Sequence, residues 1–147
     1  MFASLHLFDI ALALHIIGVV AGFGLVLVAP LVVPAARRAG AGSGSSIAAL
    51  QLAVSRIAVR WGGLLVLVSG IYLASKLDVF SEWWVSLPFV VIIVILGVND
   101  GFLGPKYKLL VENPEDEVVL GQTRAGELVL AGLVLLAILS MVLGPLL

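Results

Sequence analysis

The side chain best suited to chemistry in this sequence belongs to His15, the only ionisable residue in the apolar segment 10–29. A neutral imidazole can bind a metal ion or haem iron, and it can also relay a proton. Burying an ionisable residue in a membrane is costly, so such a residue indicates a functional site by default. The structural alternative is an imidazole that binds no ligand and forms its hydrogen bond with Ser69 or with a backbone carbonyl. The sequence leaves ligand, proton relay and structural residue open for His15.

Met141 is the second candidate ligand, although methionine also often fills irregular cores. It lies close to the C-terminal Leu147, so in a helix antiparallel to that of His15 it reaches a similar depth, roughly 9 Å. A thioether is soft and an imidazole is borderline, and this pair suits Cu(I) or haem iron. We therefore predict haem b or copper at His15 and Met141. His6 is a further candidate metal ligand, but roughly 13 Å of helix separates it from His15, too far to share one iron.

The elements that must position these residues are membrane helices. The chain has 147 residues, 62% of them hydrophobic and 12% charged, and its mean hydropathy is +1.24. A soluble domain carries about 25% charged residues, and about 20 apolar residues in a helix cross a bilayer. We predict an all-α fold, a single polytopic four-helix transmembrane bundle. Its parts are spans at about 8–33, 58–76, 84–104 and 125–147, a flexible Gly/Ser linker at 39–46 and an acidic loop at 106–122.

Charge and cysteine content exclude several classes of function. The net charge of −1 argues against nucleic acid as a partner, because a phosphate-binding face needs clustered Lys and Arg. The chain has no cysteine, so disulfides, thiolate zinc sites, cysteine-ligated iron–sulfur clusters and cysteine nucleophiles are excluded. We interpret the first apolar segment as a membrane span and not as a signal peptide, because no Lys or Arg precedes Arg37.

The basic residues predict the orientation of the bundle. Lys76 is the only Lys or Arg on the side that holds both termini and the connection between the second and third spans. The others lie on the opposite side, at Arg37, Arg38, Arg56, Arg60, Lys106, Lys108 and Arg124. Positive residues remain cytoplasmic. We therefore predict that both termini face outward from the cell membrane (plasma or inner), with the lipid bilayer as partner.

Two further sets of residues favour structural interpretations. Gly18 and Gly22 form a small-xxx-small pattern, which lets helix backbones approach closely in lipid, so we predict helix packing there. The same small residues would leave room for a flat haem ring. Polar residues near the inner ends of the spans predict an ion-pair belt formed by Arg56, Arg60, Asp100 and Glu127. The alternative for Asp100 is the end of a path for protons or cations.

Each of the four predicted helices carries a short motif of its own. They are His15 with Gly24 and Pro30, Arg56 with Ser69-Gly70, Asn99 with Pro105, and Arg124-x-x-Glu127 with Pro145. These motifs resemble the copper-resistance D (CopD) family and its haem-binding relative, the HemJ-type protoporphyrinogen oxidase. The chain is also similar to an uncharacterised four-helix bacterial branch of that superfamily.

The resemblance implies a histidine ligand at His15 in a protein of redox chemistry, metal handling or transport. Those families often carry a tryptophan where this chain has Gly22, and a lysine near the start of the third helix, where residues 83–88 hold none. The resemblance therefore does not extend to a His/Lys haem site. Two alternatives remain. One is a non-catalytic structural or accessory subunit, within a homo-oligomer or a larger membrane complex; the other is a haem-dependent membrane oxidoreductase.

Overall fold

The computed structural model describes residues 2–38, 40 and 44–147, with side chains in the first helix from His6 onward. This part of the chain is helical throughout, apart from short connections. We number the long helices α1 (residues 2–38), α2 (Gly44–Leu77), α3 (Trp83–Glu112) and α4 (Glu117–Leu143), and a 3₁₀ turn at Gly144–Leu146 follows. The all-α prediction is confirmed for the described residues.

The helices are longer than the predicted spans. Helix α2 already begins at Gly44, so the end of the predicted linker 39–46 is helical, while residues 39 and 41–43 lie outside the described residues. The predicted loop 106–122 contracts to residues 113–116, because α3 continues to Glu112 and α4 begins at Glu117. Hydropathy locates the apolar part of a helix and not its ends, and the Lys, Glu and Leu residues in this segment favour helix.

Local capping explains two of the helix ends. The side chain of Asp116 accepts hydrogen bonds from the backbone N–H groups of Val118 and Val119, both at 3.1 Å, and so satisfies donors that are free at the start of α4. At the end of α2, Asp78 adopts φ 55°, the left-handed conformation that Asp tolerates better than most residues. Both caps turn the chain sharply into the next helix.

Three of the helices contain a π turn, a wider turn with i→i+5 hydrogen bonds. These turns are Val19–Phe23 in α1, Ser55–Val59 in α2 and Asn99–Leu103 in α3. The first contacts the second, and the second contacts the third, so they share one level of the bundle. Each π turn adds a residue to the helix and shifts the face that its later side chains present. Such turns frequently occur at functional sites.

The helices pack as neighbours in chain order around a main core, and a smaller cluster contains Ala48, Leu110 and Val119. Helix α1 packs against α2 and α4, and α3 packs against α2 and α4. The core consists of buried apolar residues, among them Phe23, Val26, Val59, Val66, Val91, Ile92, Ile95, Leu103, Leu130 and Val134. Many large apolar side chains instead point outward, such as Ile17, Val68, Val90 and Leu139. All four helices are long and apolar enough to cross a membrane, which is compatible with a multi-pass four-helix bundle.

The contact between α1 and α2 is built on glycine. A Cβ atom added at Gly18 would lie 2.8 Å from Val66 Cγ2, and one added at Gly22 would lie 3.2 Å from the Cα atom of Gly62. From the other side, a Cβ atom at Gly62 would lie 2.9 Å from the Cα atom of Gly22. The structure therefore places both predicted packing glycines at a close backbone contact, with a third glycine opposite them.

Candidate functional site

The imidazole of His15 is half-buried between α1 and α2. Its Nδ1 atom lies 3.1 Å from the carbonyl oxygen of Val66 and 3.1 Å from the hydroxyl oxygen of Ser69. That hydroxyl donates its own hydrogen to the carbonyl of Leu65, so both partners of Nδ1 act as acceptors. Nδ1 therefore carries the ring hydrogen and donates it, and the Nε2 lone pair remains for a ligand.

His15 and Met141 line the same small cavity, although they belong to α1 and α4. The cavity measures about 30 Å³, and its other walls include Gly70, Phe89 and Ile92. A cavity of this size has room for little more than one or two water molecules, since one water needs about 10–15 Å³ of such space. The structure thus brings together the two residues that the sequence analysis paired, in a space that suits a single small ion.

The cavity beside His15 is small, at about 30 Å³. The room expected at Gly18 and Gly22 is taken, because Gly62 of α2 packs directly against them. The small residues at this point admit a helix backbone, and haem b stays a prediction. Copper, as a single ion, stays a prediction.

His6 lies apart from this cavity, near the start of α1. Its side chain is exposed, and it does not line the cavity that His15 and Met141 share. Within the described ranges, no three His, Cys, Asp or Glu side chains come together as a metal cluster. The structure therefore does not place His6 in such a cluster within that part of the chain.

A second group of polar residues lies inside the bundle, centred on Glu127. This side chain is only 4% exposed. Its Oε1 atom accepts a hydrogen bond of 2.7 Å from the hydroxyl of Tyr107 and one of 3.0 Å from Nε2 of Gln51. Helices α2, α3 and α4 each contribute one of the three residues. Buried polar groups are normally paired in this way, because an unpaired group loses its hydrogen bonds to water.

Two π turns contribute a neighbouring pair. Ser55 in α2 donates to Oδ1 of Asn99 at 2.9 Å, and Nδ2 of Asn99 donates to the backbone carbonyl of Ser55 at 3.1 Å. Both residues are buried, and they line the same apolar cavity of about 160 Å³ as Gln51, Tyr107 and Glu127. The reciprocal bonds fix α2 to α3 at the level where the π turns meet.

The predicted ion-pair belt is divided into two parts. Arg60 and Asp100 form a salt bridge of 3.0 Å on the surface, whereas Arg56 is exposed and lines a neighbouring cleft. Glu127 makes no salt bridge with a basic residue of ranges 6–38 and 44–147. The pairing of Glu127 with the arginines is therefore corrected. Its place in α4 turns it into the core, where the nearest donors are neutral.

Sequence patterns did not identify five polar residues of the interior, which are Gln51, Ser55, Asn99, Tyr107 and Thr123. Gln51 and Ser55 precede the predicted span 58–76 and Tyr107 lies in the predicted loop 106–122, because hydropathy ends the spans too early. One signal for them is present: Gln51 and Ser55 are four residues apart, as are Thr123 and Glu127, so each pair shares a helix face. Polar pairs at that spacing beside an apolar run indicate polar residues that share one face of the helix inside the bundle.

Comparison with known proteins gives no match. No family model fits the chain, and no curated protein and no solved structure is similar to it. The candidate sites around His15 and Glu127 therefore have to be interpreted from their own chemistry.

Proposed function

We propose that this chain is a multi-pass protein of the cell membrane, with both termini outside, that binds a single copper(I) ion for metal handling or transport. The observation that supports the proposal is the cavity of about 30 Å³ that His15 and Met141 share. Two ligand types on different helices that meet in one ion-sized space have a chemical explanation beyond packing. The resemblance to the CopD family agrees with it.

The ligand chemistry favours a soft monovalent ion. The Nε2 lone pair of His15 is available because Nδ1 donates to the carbonyl of Val66, and Met141 offers a thioether. Thioethers select Cu(I), and imidazole suits copper as well. The backbone carbonyl that holds Nδ1 orients the ring, as outer partners of metal-binding histidines generally do. The haem-dependent oxidoreductase stays an alternative prediction.

The test is Cu(I) binding by the purified chain in detergent, measured with a competing chromophoric chelator. We expect His15→Ala to abolish binding and Met141→Leu to weaken it, because Leu keeps the volume of Met without the sulfur. His6→Ala is the matched control and should bind like the wild type. If the wild type does not bind Cu(I), or if His15→Ala binds it unchanged, His15 is a structural histidine.

An accessory subunit is the second candidate function, and one observation favours it. Gly97 and Gly101 on α3 are exposed, and a Cβ atom added at either one would meet nothing within 4 Å. Unlike Gly18 and Gly22, this small-xxx-small pair is free for a helix of another subunit. In this cysteine-free chain, Gly97→Cys should give a disulfide-linked dimer in membranes. Leu136→Cys on α4 should not, and equal cross-linking of both would dispose of the candidate.

A further inference from the structure

Glu127 is a buried carboxylate with one oxygen still free. Oε1 takes both hydrogen bonds, from Tyr107 and from Gln51, and Oε2 takes none from the described residues. Both donors are neutral, and no basic residue in those ranges forms a salt bridge with Glu127. Buried charges in proteins are normally paired, because the loss of hydration is costly. The free oxygen of Glu127 is therefore set up to receive a cationic donor.

Thr123 provides an independent observation at the same place. It lies one helical turn before Glu127 on α4, is 4% exposed, and its Oγ1 atom has no hydrogen-bond partner within the described part of the chain. Nearly all buried polar side-chain atoms have such a partner, so an exception needs an explanation. Residues at i and i+4 lie on the same face of a helix, which brings the hydroxyl of Thr123 and the carboxylate of Glu127 to one side.

Thr123 and Glu127 both line a cleft of about 260 Å³, which we call the Glu127 cleft. Helices α1, α3 and α4 form its walls, and the apolar lining includes Pro30, Val33, Pro34, Leu110 and Leu120. Neither proline has an N–H group, so two backbone carbonyls in the preceding turns of α1 lack their usual helical donor. The α1 wall of the cleft is mainly apolar.

The charged residues of the cleft lie nearer the surface than Glu127. Arg37 and Glu117 form an exposed salt bridge of 3.5 Å, in which their charges offset each other. Arg124 also lines the cleft and is exposed, so solvent and salt screen its charge. Glu127 is the buried carboxyl group among the residues that line the cleft. A ligand that passes the rim therefore meets this carboxyl group, with Thr123 one helical turn away.

We propose that the Glu127 cleft binds an organic ammonium group, of the primary alkylamine class. An ammonium nitrogen carries three N–H donors, no acceptor and a positive charge, which complements the Oε2 atom of Glu127 and the Oγ1 atom of Thr123. Its alkyl chain packs against Pro30, Val33 and Leu120. A bare metal ion would leave the apolar part of the cleft of about 260 Å³ empty, whereas the alkyl chain of an amine occupies it.

The experiment titrates butylammonium chloride into the purified full-length chain in detergent and measures binding by calorimetry. Glu127→Gln keeps an oxygen for Tyr107 and Gln51 but removes the charge, so we expect about tenfold weaker binding or more. Thr123→Val should weaken binding less, and Thr123→Ser should restore it. Glu112→Gln, an exposed acid on α3, is the matched control and should bind like the wild type.

Three further ligands identify the chemistry and its source. Tetramethylammonium has the charge without N–H donors and should not compete with butylammonium. Free ammonium should compete only weakly with butylammonium, because it makes no contact with the apolar wall. If free ammonium binds as tightly as butylammonium, the ligand of the cleft is free ammonium and not an alkylamine. Competition by sodium at the same concentration as butylammonium, or unchanged binding in Glu127→Gln, would overturn the proposal. Copper binding at His15 should survive Glu127→Gln, so the two sites succeed or fail separately.

Discussion

At Glu127 a buried carboxylate is held by the hydroxyl of Tyr107 and the amide of Gln51 and not by an arginine. Neutral donors satisfy one oxygen without cancelling the charge. An arginine would have done both and would have used the second oxygen as well. A buried carboxylate paired with an arginine would only hold the helices together. With neutral donors on one oxygen, Glu127 keeps the other oxygen for a ligand.

The hydrogen bond from Tyr107 to Glu127 gives a test at the residue scale. We expect Tyr107→Phe to lower the free energy of unfolding by about 1.5–3 kcal/mol, because the change removes only the hydroxyl that donates to a charged, buried oxygen. Tyr72→Phe is the control, because the hydroxyl of Tyr72 makes no hydrogen bond within the described ranges. Denaturant unfolding in detergent measures both. Equal losses in the two variants would show that Glu127 does not depend on Tyr107.

At the scale of the elements, the π turns determine which side chains meet. Ser55 begins one of these turns and Asn99 begins another, and the two residues hydrogen-bond to each other. An added residue rotates everything that follows by about 100°, one residue of a regular helix. The face of α3 that carries Tyr107 to Glu127 therefore depends on the turn that precedes it.

The glycine contact between α1 and α2 gives a test at this scale. A Cβ atom at Gly62 would lie 2.9 Å from the Cα atom of Gly22, so the backbones have to separate in Gly62→Ala. We expect a loss of about 1–3 kcal/mol in the free energy of unfolding, the usual cost of overpacking.

Gly132→Ala is the matched control for this change. A Cβ atom there meets nothing within 4 Å, and Ala gains helix propensity over Gly, so stability should rise or stay unchanged. Thermal melting of both variants in the same detergent compares them. If Gly62→Ala melts no earlier than Gly132→Ala, the helices do not approach each other at Gly62 as closely as described.

For the whole molecule, the chain ends and the second connection should lie on one side of the membrane, and the first and third connections on the other. Cysteines introduced singly at Ser46 and Glu115 should resist a membrane-impermeant thiol reagent in intact cells, whereas one at Ser81 should react. All three positions are exposed, and the chain has no cysteine of its own. The physical reason is that Lys and Arg near span ends are retained in the cytoplasm. Labelling of Ser46 and Glu115 from outside would reverse the orientation.

The sequence alone determined that the protein is a set of four long apolar helices. Composition and hydropathy are sums over neighbouring residues, so they locate segments such as 10–29 without knowledge of their partners. Spacing also carried information: Gly18 and Gly22 lie where two backbones approach, and His15 and Met141 share a cavity. Those inferences worked because depth along a helix follows directly from residue number.

The tertiary structure decided what each polar residue contacts. Gln51 and Tyr107 are 76 and 20 residues away from Glu127 in the chain, and only the packing of three helices brings them to its Oε1 atom. The sequence analysis assigned Glu127 to an arginine, because depth does not specify rotation about the helix axis. The π turns change that rotation, and the packing of Gly62 against Gly22 fills the space beside these glycines. Rotation and free volume depend on all helices together, whereas hydropathy depends on each one alone.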